Sequence, residues 1–264
     1  MLNLIPIWDI ALAFALLVVV CGEIGYRIGL LGKVSLGQTP FAVLQTAVFG
    51  LLSLLLAFSF SLGLARYDAR RLEVLDEANA IWKTILRSEL LDPRAAAFMH
   101  DRLQQYVEAR ILFARADVDE RAKADAARQS AALQNDMWEV AKSETKSHAN
   151  PVAVSLFIEA LNDMDAETAR EEGVLKAHVP DEVVVTLAVV IAFASILLGV
   201  GFGRTKRRGD LGFVLFAIVI SLVVATIVDL DRPQRGYIRV SLDPLKSLRI
   251  ALGERSATKP FESP

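Results

Sequence analysis

The sequence contains few of the residues that build metal centres and disulfide frameworks. It has one cysteine, Cys21, and three histidines, His100, His148 and His178, which lie far apart along the chain. A single cysteine excludes an internal disulfide framework and a thiolate metal cluster. The spacing of the histidines matches no metal-binding motif. We therefore expect no metal ion and no other cofactor.

The usual signatures of catalysis and of nucleic-acid binding are also missing. The chain has no Walker loop, no His-Glu-x-x-His motif and no Gly-x-Ser-x-Gly elbow. Gly199, Gly201 and Gly203 are not a nucleotide-binding fingerprint, because they end an apolar run and follow no strand. The formal net charge of −2 provides no global basic field. We expect neither an enzyme nor a nucleic-acid-binding protein.

What the chain has instead is four long apolar runs. The second, Phe41 to Ala65, contains no charged residue, and it suffices to cross a bilayer core of roughly 30 Å at about 1.5 Å per residue. Val183 to Phe202 and Leu211 to Val228 are also free of charge. The first, Ile10 to Gly22, follows no Lys or Arg, so we interpret it as a retained span rather than a signal peptide. The sequence predicts an integral membrane protein in contact with the lipid bilayer.

A long polar block separates the second run from the third. It has almost no glycine and no β-branched alternation, and helix starts are indicated at Asp92-Pro93 and Asn150-Pro151. We predict an all-α fold with four transmembrane helices and a helical soluble domain inserted between the second and third spans. The predicted regions are 1–65 with the first two spans, 66–180 with the helical domain, 181–230 with the last two spans, and 231–264 with a short extended segment, an amphipathic helix and a disordered tail.

Glycines recur at helical spacing in two of the apolar runs. Gly22, Gly25 and Gly29 fall on one face of the first, and Gly199 and Gly203 repeat the four-residue spacing in the third. Small residues allow two helix backbones to approach closely within a membrane. We interpret these five glycines as helix-packing positions.

Two further patterns each allow two interpretations. The second span has a stripe of small and hydroxyl residues beside the bulky Leu54 and Phe58, and this stripe fits either a pore lining or a helix–helix seam. Its members are Gly50, Ser53, Ala57 and Ser61. Glu23 and Arg27 stand four residues apart in the order that favours an ion pair. This pair fits either an ion pathway with a gating role or an interfacial pair at the end of a span.

Several segments resemble the bacterial bestrophin-like domain family of four-span membrane proteins, in the same order along the chain. They are Gly22-Glu-Ile-Gly-Tyr-Arg-Ile-Gly29, Leu55-Leu-Ala-Phe-Ser-Phe-Ser61, Arg66-Tyr-Asp-Ala-Arg-Arg71 with Glu77-Ala-Asn-Ala80, and Asp229-Leu-Asp-Arg-Pro-Gln-Arg-Gly-Tyr-Ile-Arg-Val-Ser241 with Pro244-Leu245. The chain departs from the family pattern at Ile81-Trp82, where a small residue is expected. The resemblance implies a multi-pass protein of the bacterial inner membrane.

A more distant similarity to bestrophin anion channels rests on Ala57-Phe58 followed by Arg66-Tyr67. It implies a pentameric homo-oligomer that passes small anions, with the neck of the pore at Gly50, Leu54 and Phe58 and with Arg66 near one mouth. Gly50 departs from the bulky residue expected of a neck. The acidic calcium clasp of animal bestrophins is absent. The similarity also implies that the helical domain and both termini lie in the cytosol. The positive-inside rule predicts the opposite orientation, because it puts the Arg-rich turn at residues 204–208, on the other side of the membrane, in the cytosol.

Three functions are therefore under consideration. The first is an anion channel with an apolar constriction at Leu54 and Phe58. The second is a non-conducting membrane sensor or scaffold whose helical domain binds a partner. The third is a membrane enzyme with no readable catalytic constellation.

Overall fold

The computed structural model describes residues 6–32, 37–115, 119–147, 150–176, 181–206, 209–232 and 237–258. Within these ranges, all regular secondary structure is helical, as the sequence predicts. The helices are α1 (Ile7–Leu30), α2 (Gln38–Ser88), α3 (Pro93–Ala114), α4 (Glu120–Ser147), α5 (Pro151–Lys176), α6 (Asp181–Arg204), α7 (Asp210–Asp231) and α8 (Asp243–Thr258).

Four of these helices are long and apolar enough to cross a membrane. They are α1, α2, α6 and α7, and the shortest of the four candidate spans still has 21 residues. A helix of that length rises about 30 Å, the thickness of a bilayer core. The prediction of a membrane protein with four transmembrane helices is confirmed.

The chain divides into two compact units. The first comprises residues 1–67 and 178–238 and contains the membrane spans. In it α1 packs against α6 and α7. The centre of this unit is apolar and almost free of solvent, and its buried side chains include Ile10, Phe14, Val18, Leu52, Leu187, Ile191, Ile220 and Val224.

The second unit comprises residues 68–177 and 239–264, so it includes the tail after the last span. Its core combines residues of α2, α3, α4, α5 and α8, including Ile81, Met99, Leu103, Met137, Phe157, Leu161, Leu245 and Leu252. The amphipathic tail helix is therefore part of this core. It continues to Thr258, and residues 259–264 lie outside the described ranges.

Helix starts in the second unit follow local capping rules. The Asp92 carboxylate accepts a hydrogen bond from the backbone N–H of Arg94 at 3.0 Å, immediately before Pro93. The Asn150 side chain accepts one from the backbone N–H of Ala153 at 3.1 Å. A side-chain oxygen at this position satisfies a backbone donor that the first helical turn leaves unpaired. Both predicted helix starts are therefore found.

Candidate functional site

The second span is the most exposed of the four within a single protomer. In its most apolar window, 11% of the residues are buried inside the protein, against 22%, 33% and 39% in α1, α6 and α7. One side of α2 is anchored, because Leu52 and Ser59 are 2% and 6% exposed. The rotation of α2 about its axis is therefore fixed, and so is the face that points away from the protomer.

Gly50, Leu54 and Phe58 lie on that outward face, four residues apart. Leu54 is 53% exposed and Phe58 is 65% exposed. A Cβ atom added at Gly50 would meet nothing within 4 Å. The three residues form a continuous apolar surface that the described part of the protomer leaves uncovered.

The small and hydroxyl residues of α2 are exposed as well. Ser53, Ala57 and Ser61 are all solvent-exposed in the protomer. The hydroxyl of Ser53 donates to the backbone carbonyl of Phe49 at 2.9 Å, so its donor is satisfied within α2. Within the described part of the protomer, these residues form no helix–helix seam.

Arg66 is partly buried and follows Phe58 by eight residues of continuous helix. At about 1.5 Å per residue this separation is roughly 12 Å along the helix axis. Arg66 therefore lies near the point where α2 leaves the membrane-spanning unit, whose first segment ends at Tyr67.

Glu23 and Arg27 form the ion pair that their spacing predicts. The Arg27 Nε donates to the Glu23 Oε1 at 2.8 Å, and the two side chains are 75% and 43% exposed, respectively. The pair lies in the last eight residues of α1. Each charge thus has an opposite charge beside it, close to the end of a span, where charged side chains are tolerated best.

Close helix packing places two α1 glycines directly on the backbone of α6. A Cβ atom at Gly25 would overlap the backbone carbonyl of Ile196, and one at Gly29 would overlap that of Val200. Since the obstructing atoms belong to backbone, no side-chain movement could make room for a larger residue.

The contact is reciprocal. A Cβ atom at Gly199 would overlap the backbone carbonyl of Gly22, and one at Gly203 would overlap that of Tyr26. Gly22 itself faces the ring of Phe213 on α7. The five glycines thus lie where α1 meets its two neighbouring helices.

A buried aspartate organises the segment that follows α7. Asp229 is 4% exposed, and its two carboxylate oxygens accept hydrogen bonds from the backbone N–H groups of Tyr237 and Ile238 at 2.9 and 2.8 Å. Tyr237 in turn accepts a hydrogen bond from the Trp8 indole at 2.9 Å, with the two rings edge to face. An apolar groove of about 840 Å³ runs beside this contact between α1 and α7. The sequence motif marks Asp229 but does not indicate its partners.

The helical unit contains a buried ion pair that no sequence motif marks. The Arg110 Nε donates to the Glu77 Oε1, and the two side chains are 2% and 1% exposed. Beside the pair, the Tyr106 hydroxyl shares a 2.7 Å hydrogen bond with the Thr168 hydroxyl. Burial raises the pKa of Tyr106 to about 12.

A half-buried carboxylate, Asp165, lies in the same unit. The Trp138 indole donates to the Asp165 Oδ2 at 2.6 Å, while Asp165 Oδ1 is buried without a hydrogen-bond partner in the described structure. Burial raises the pKa of Asp165, and burial likewise raises that of Glu73. The unit therefore contains carboxyl groups that bind protons more tightly than ordinary surface carboxyls.

The described residues include no group of three or more His, Cys, Asp or Glu side chains placed to hold a metal ion. His148 and His178 lie outside the described ranges, as do Arg207 and Arg208 of the Arg-rich turn.

The family follows from a sequence match. The model of the Bestrophin-like domain matches residues 38–245, from the start of α2 into α8, and so covers most of the chain. The chain belongs to the bestrophin-like family. A comparison with curated proteins finds no match.

Solved structures share the fold of this bestrophin-like chain at low sequence identity. A crystal structure of a bacterial bestrophin homologue from Klebsiella pneumoniae has a TM-score of 0.68 and 14% identity, over 97% of this chain and 100% of that one. A point variant of that homologue gives 0.67 and 14%, over 96% and 99%. A structure described only as a membrane protein gives 0.67 and 15%, over 97% and 99%.

Proposed function

We propose that this bestrophin-like protein assembles as a ring, a pentamer, in the bacterial inner membrane and conducts small anions through a pore lined by α2. The observation that supports this most directly is the uncovered face formed by Gly50, Leu54 and Phe58. Charge-free surface of this kind faces either lipid or another subunit. A ring of α2 helices turns the face toward a common axis, where it encloses a pathway.

Leu54 and Phe58 supply the gate in this proposal. Rings of large apolar side chains expel water from a narrow pore, so ions pass only when the ring widens. Gly50 leaves the pore wider one turn away. Arg66, about 12 Å along the axis from Phe58, raises the local concentration of anions near one mouth.

By similarity to bestrophin channels, the proposal also has the helical domain and both termini in the cytosol. The Glu23–Arg27 contact supports an interfacial role over an ion pathway, since the two charges neutralise each other near the end of α1.

Anion flux into liposomes tests the proposal. Native mass spectrometry of the purified protein first measures the number of subunits, and chloride and iodide influx is then compared among the wild type, Phe58→Ala and Phe193→Ala. Phe193 is a matched control, because it is 60% exposed on α6, a different span. We expect faster flux from Phe58→Ala only. Absence of flux in all three proteins rejects the channel. Equal effects of the two substitutions reject Phe58 as part of its constriction.

A further inference from the structure

The exposed apolar side chains of the helical unit are concentrated on one helix. Of the six large apolar residues exposed in its described part, three belong to α2, namely Leu72, Leu75 and Leu86, with exposures of 56%, 44% and 41%. The other three are Leu90 in the turn after α2, Val152 on α5 and Ile250 on α8. The opposite side of α2 already packs into the core through Ile81 and Ile85.

These α2 positions follow the spacing of a helix–helix seam. Leu72, Leu75, Asn79 and Leu86 are separated by three, four and seven residues, and all four are exposed. With Leu72 at an a position of a heptad repeat, Leu75 is a d position and Asn79 and Leu86 are a positions, so the four present one stripe to a neighbouring helix. The d position between Asn79 and Leu86 is Trp82, which is partly buried and packs against the core of the unit. An asparagine at an a position fixes the register of such a pair.

The two flanks of this stripe carry opposite charges. Arg71 precedes Leu72, and Asp76 follows Leu75, so they lie on opposite flanks, at the g and e positions. Both are exposed, and neither makes an ion pair in the described structure. By contrast, two other α2 cations are paired within the unit, Lys83 with Asp163 and Arg87 with Glu159, each at 2.8 Å.

We propose that this stripe of α2 lies in the contact between neighbouring copies of the chain, with the helices parallel and Arg71 of one copy paired with Asp76 of the next. In a cyclic assembly each subunit presents one flank to the copy before it and the other flank to the copy after it. A stripe with a free cation on one flank and a free anion on the other fits this head-to-tail arrangement, because every interface then receives one of each. The inference rests on the proposed ring and identifies a contact that holds it together outside the membrane spans.

Charge reversal in the full-length protein tests this contact. Arg71→Asp, Asp76→Arg and the double variant are reconstituted into nanodiscs, and the ratio of ring to free subunit is measured by native mass spectrometry. Arg94→Asp, which reverses an exposed arginine on α3, is the matched control. We expect each single reversal to lower the ratio about tenfold, because like charges then face each other, and the double variant to restore it.

The apolar stripe has its own control. Leu72→Glu is expected to lower the ratio of ring to free subunit, whereas Val152→Glu is not. Both residues are exposed aliphatic side chains of the same unit, but only Leu72 lies on the α2 stripe. Circular dichroism of each variant verifies that the helices remain folded.

Two results overturn the inference: single reversals that behave like Arg94→Asp, or a double variant that fails to recover the ring. These results are separable from the fate of the channel. A ring that depends on Arg71 and Asp76 but conducts no anions rejects the channel alone, whereas anion flux through a ring insensitive to these charges rejects the interface alone.

Discussion

Arg110 on α3 donates a hydrogen bond to Glu77 on α2, and both side chains are almost completely excluded from solvent. The contact connects the long helix that emerges from the second span to the helix after it. Removal of either partner leaves an uncompensated charge in the core, which is costly because the core cannot hydrate it.

We expect Arg110→Met to destabilise the helical unit by about 3–5 kcal/mol. The double variant Arg110→Met/Glu77→Leu should recover most of this loss, since no isolated charge remains. Lys83→Met, which breaks the exposed pair with Asp163, is the control and should cost about 1 kcal/mol or less. Thermal and chemical denaturation of the purified protein measure the three effects. Equal losses for Arg110→Met and Lys83→Met would contradict this assignment.

Gly25→Ala should disrupt the packing of α1 on α6. The added methyl group has no room against the backbone carbonyl of Ile196, so the helices must separate along their contact. Gly50→Ala adds the same group where nothing lies within 4 Å, and it should leave stability unchanged or slightly raised. The melting temperatures of the two variants in detergent are compared with that of the wild type. A Gly25→Ala protein as stable as the wild type would show that the contact between α1 and α6 is not tight.

Asp229→Ala removes the acceptor of two backbone donors at once. Hydrogen bonds to a charged group contribute about 1.5–3 kcal/mol each, so we expect a loss of roughly 3 kcal/mol or more. Asp9→Ala, an exposed aspartate in the first turn of α1, is the control. Denaturation of the two variants provides the comparison, and similar midpoints would mean that Asp229 does not hold the Tyr237 segment.

The stability contributed by Asp165 should depend on pH with an unusual sign. Burial raises the pKa of its carboxyl in the folded protein, so the folded state binds the proton more tightly than the unfolded state does. The partly buried charge therefore lowers stability above the raised pKa, and this loss is relieved as the pH falls toward 3.8, the ordinary value for Asp. Asp165→Asn should be stabilising at neutral pH, with a gain that vanishes on acidification.

For Glu139→Gln, we expect a change in stability of the opposite sign to that of Asp165→Asn. Its exposed carboxylate accepts a hydrogen bond from Lys142, which lowers the pKa of Glu139. The stability it contributes is present above the ordinary pKa of 4.5 and disappears as the pH falls through the lowered value. Melting temperatures of both variants from pH 4 to pH 8, measured against the wild type, should therefore diverge in opposite directions. Parallel curves would refute the assignment for Asp165.

Local sequence predicted the helices well. Asp92 and Asn150 start helices through contacts two or three residues away, so the chain segment alone contains the information. The four spans follow from the length and composition of each apolar run. The glycine spacing predicted helix-packing positions on α1 and α6, although it did not indicate that Gly22 faces Phe213 on α7.

Contacts between residues far apart along the chain cannot be predicted from local sequence patterns. Glu77 and Arg110 are separated by 33 residues, and nothing in their neighbours distinguishes them from the solvated charges of the same helices. Asp229 binds backbone groups eight and nine residues further on, across a change of direction that composition does not specify.

Composition and residue order are enough to establish a helical membrane protein, because apolar runs long enough to cross a bilayer and local capping residues act within one segment. The folded structure is needed to show that α2 is anchored at Leu52 and left open at Phe58, and to show which charges of the helical unit are buried. Burial is a property of how helices meet, and each residue contributes to it through partners far away in the chain.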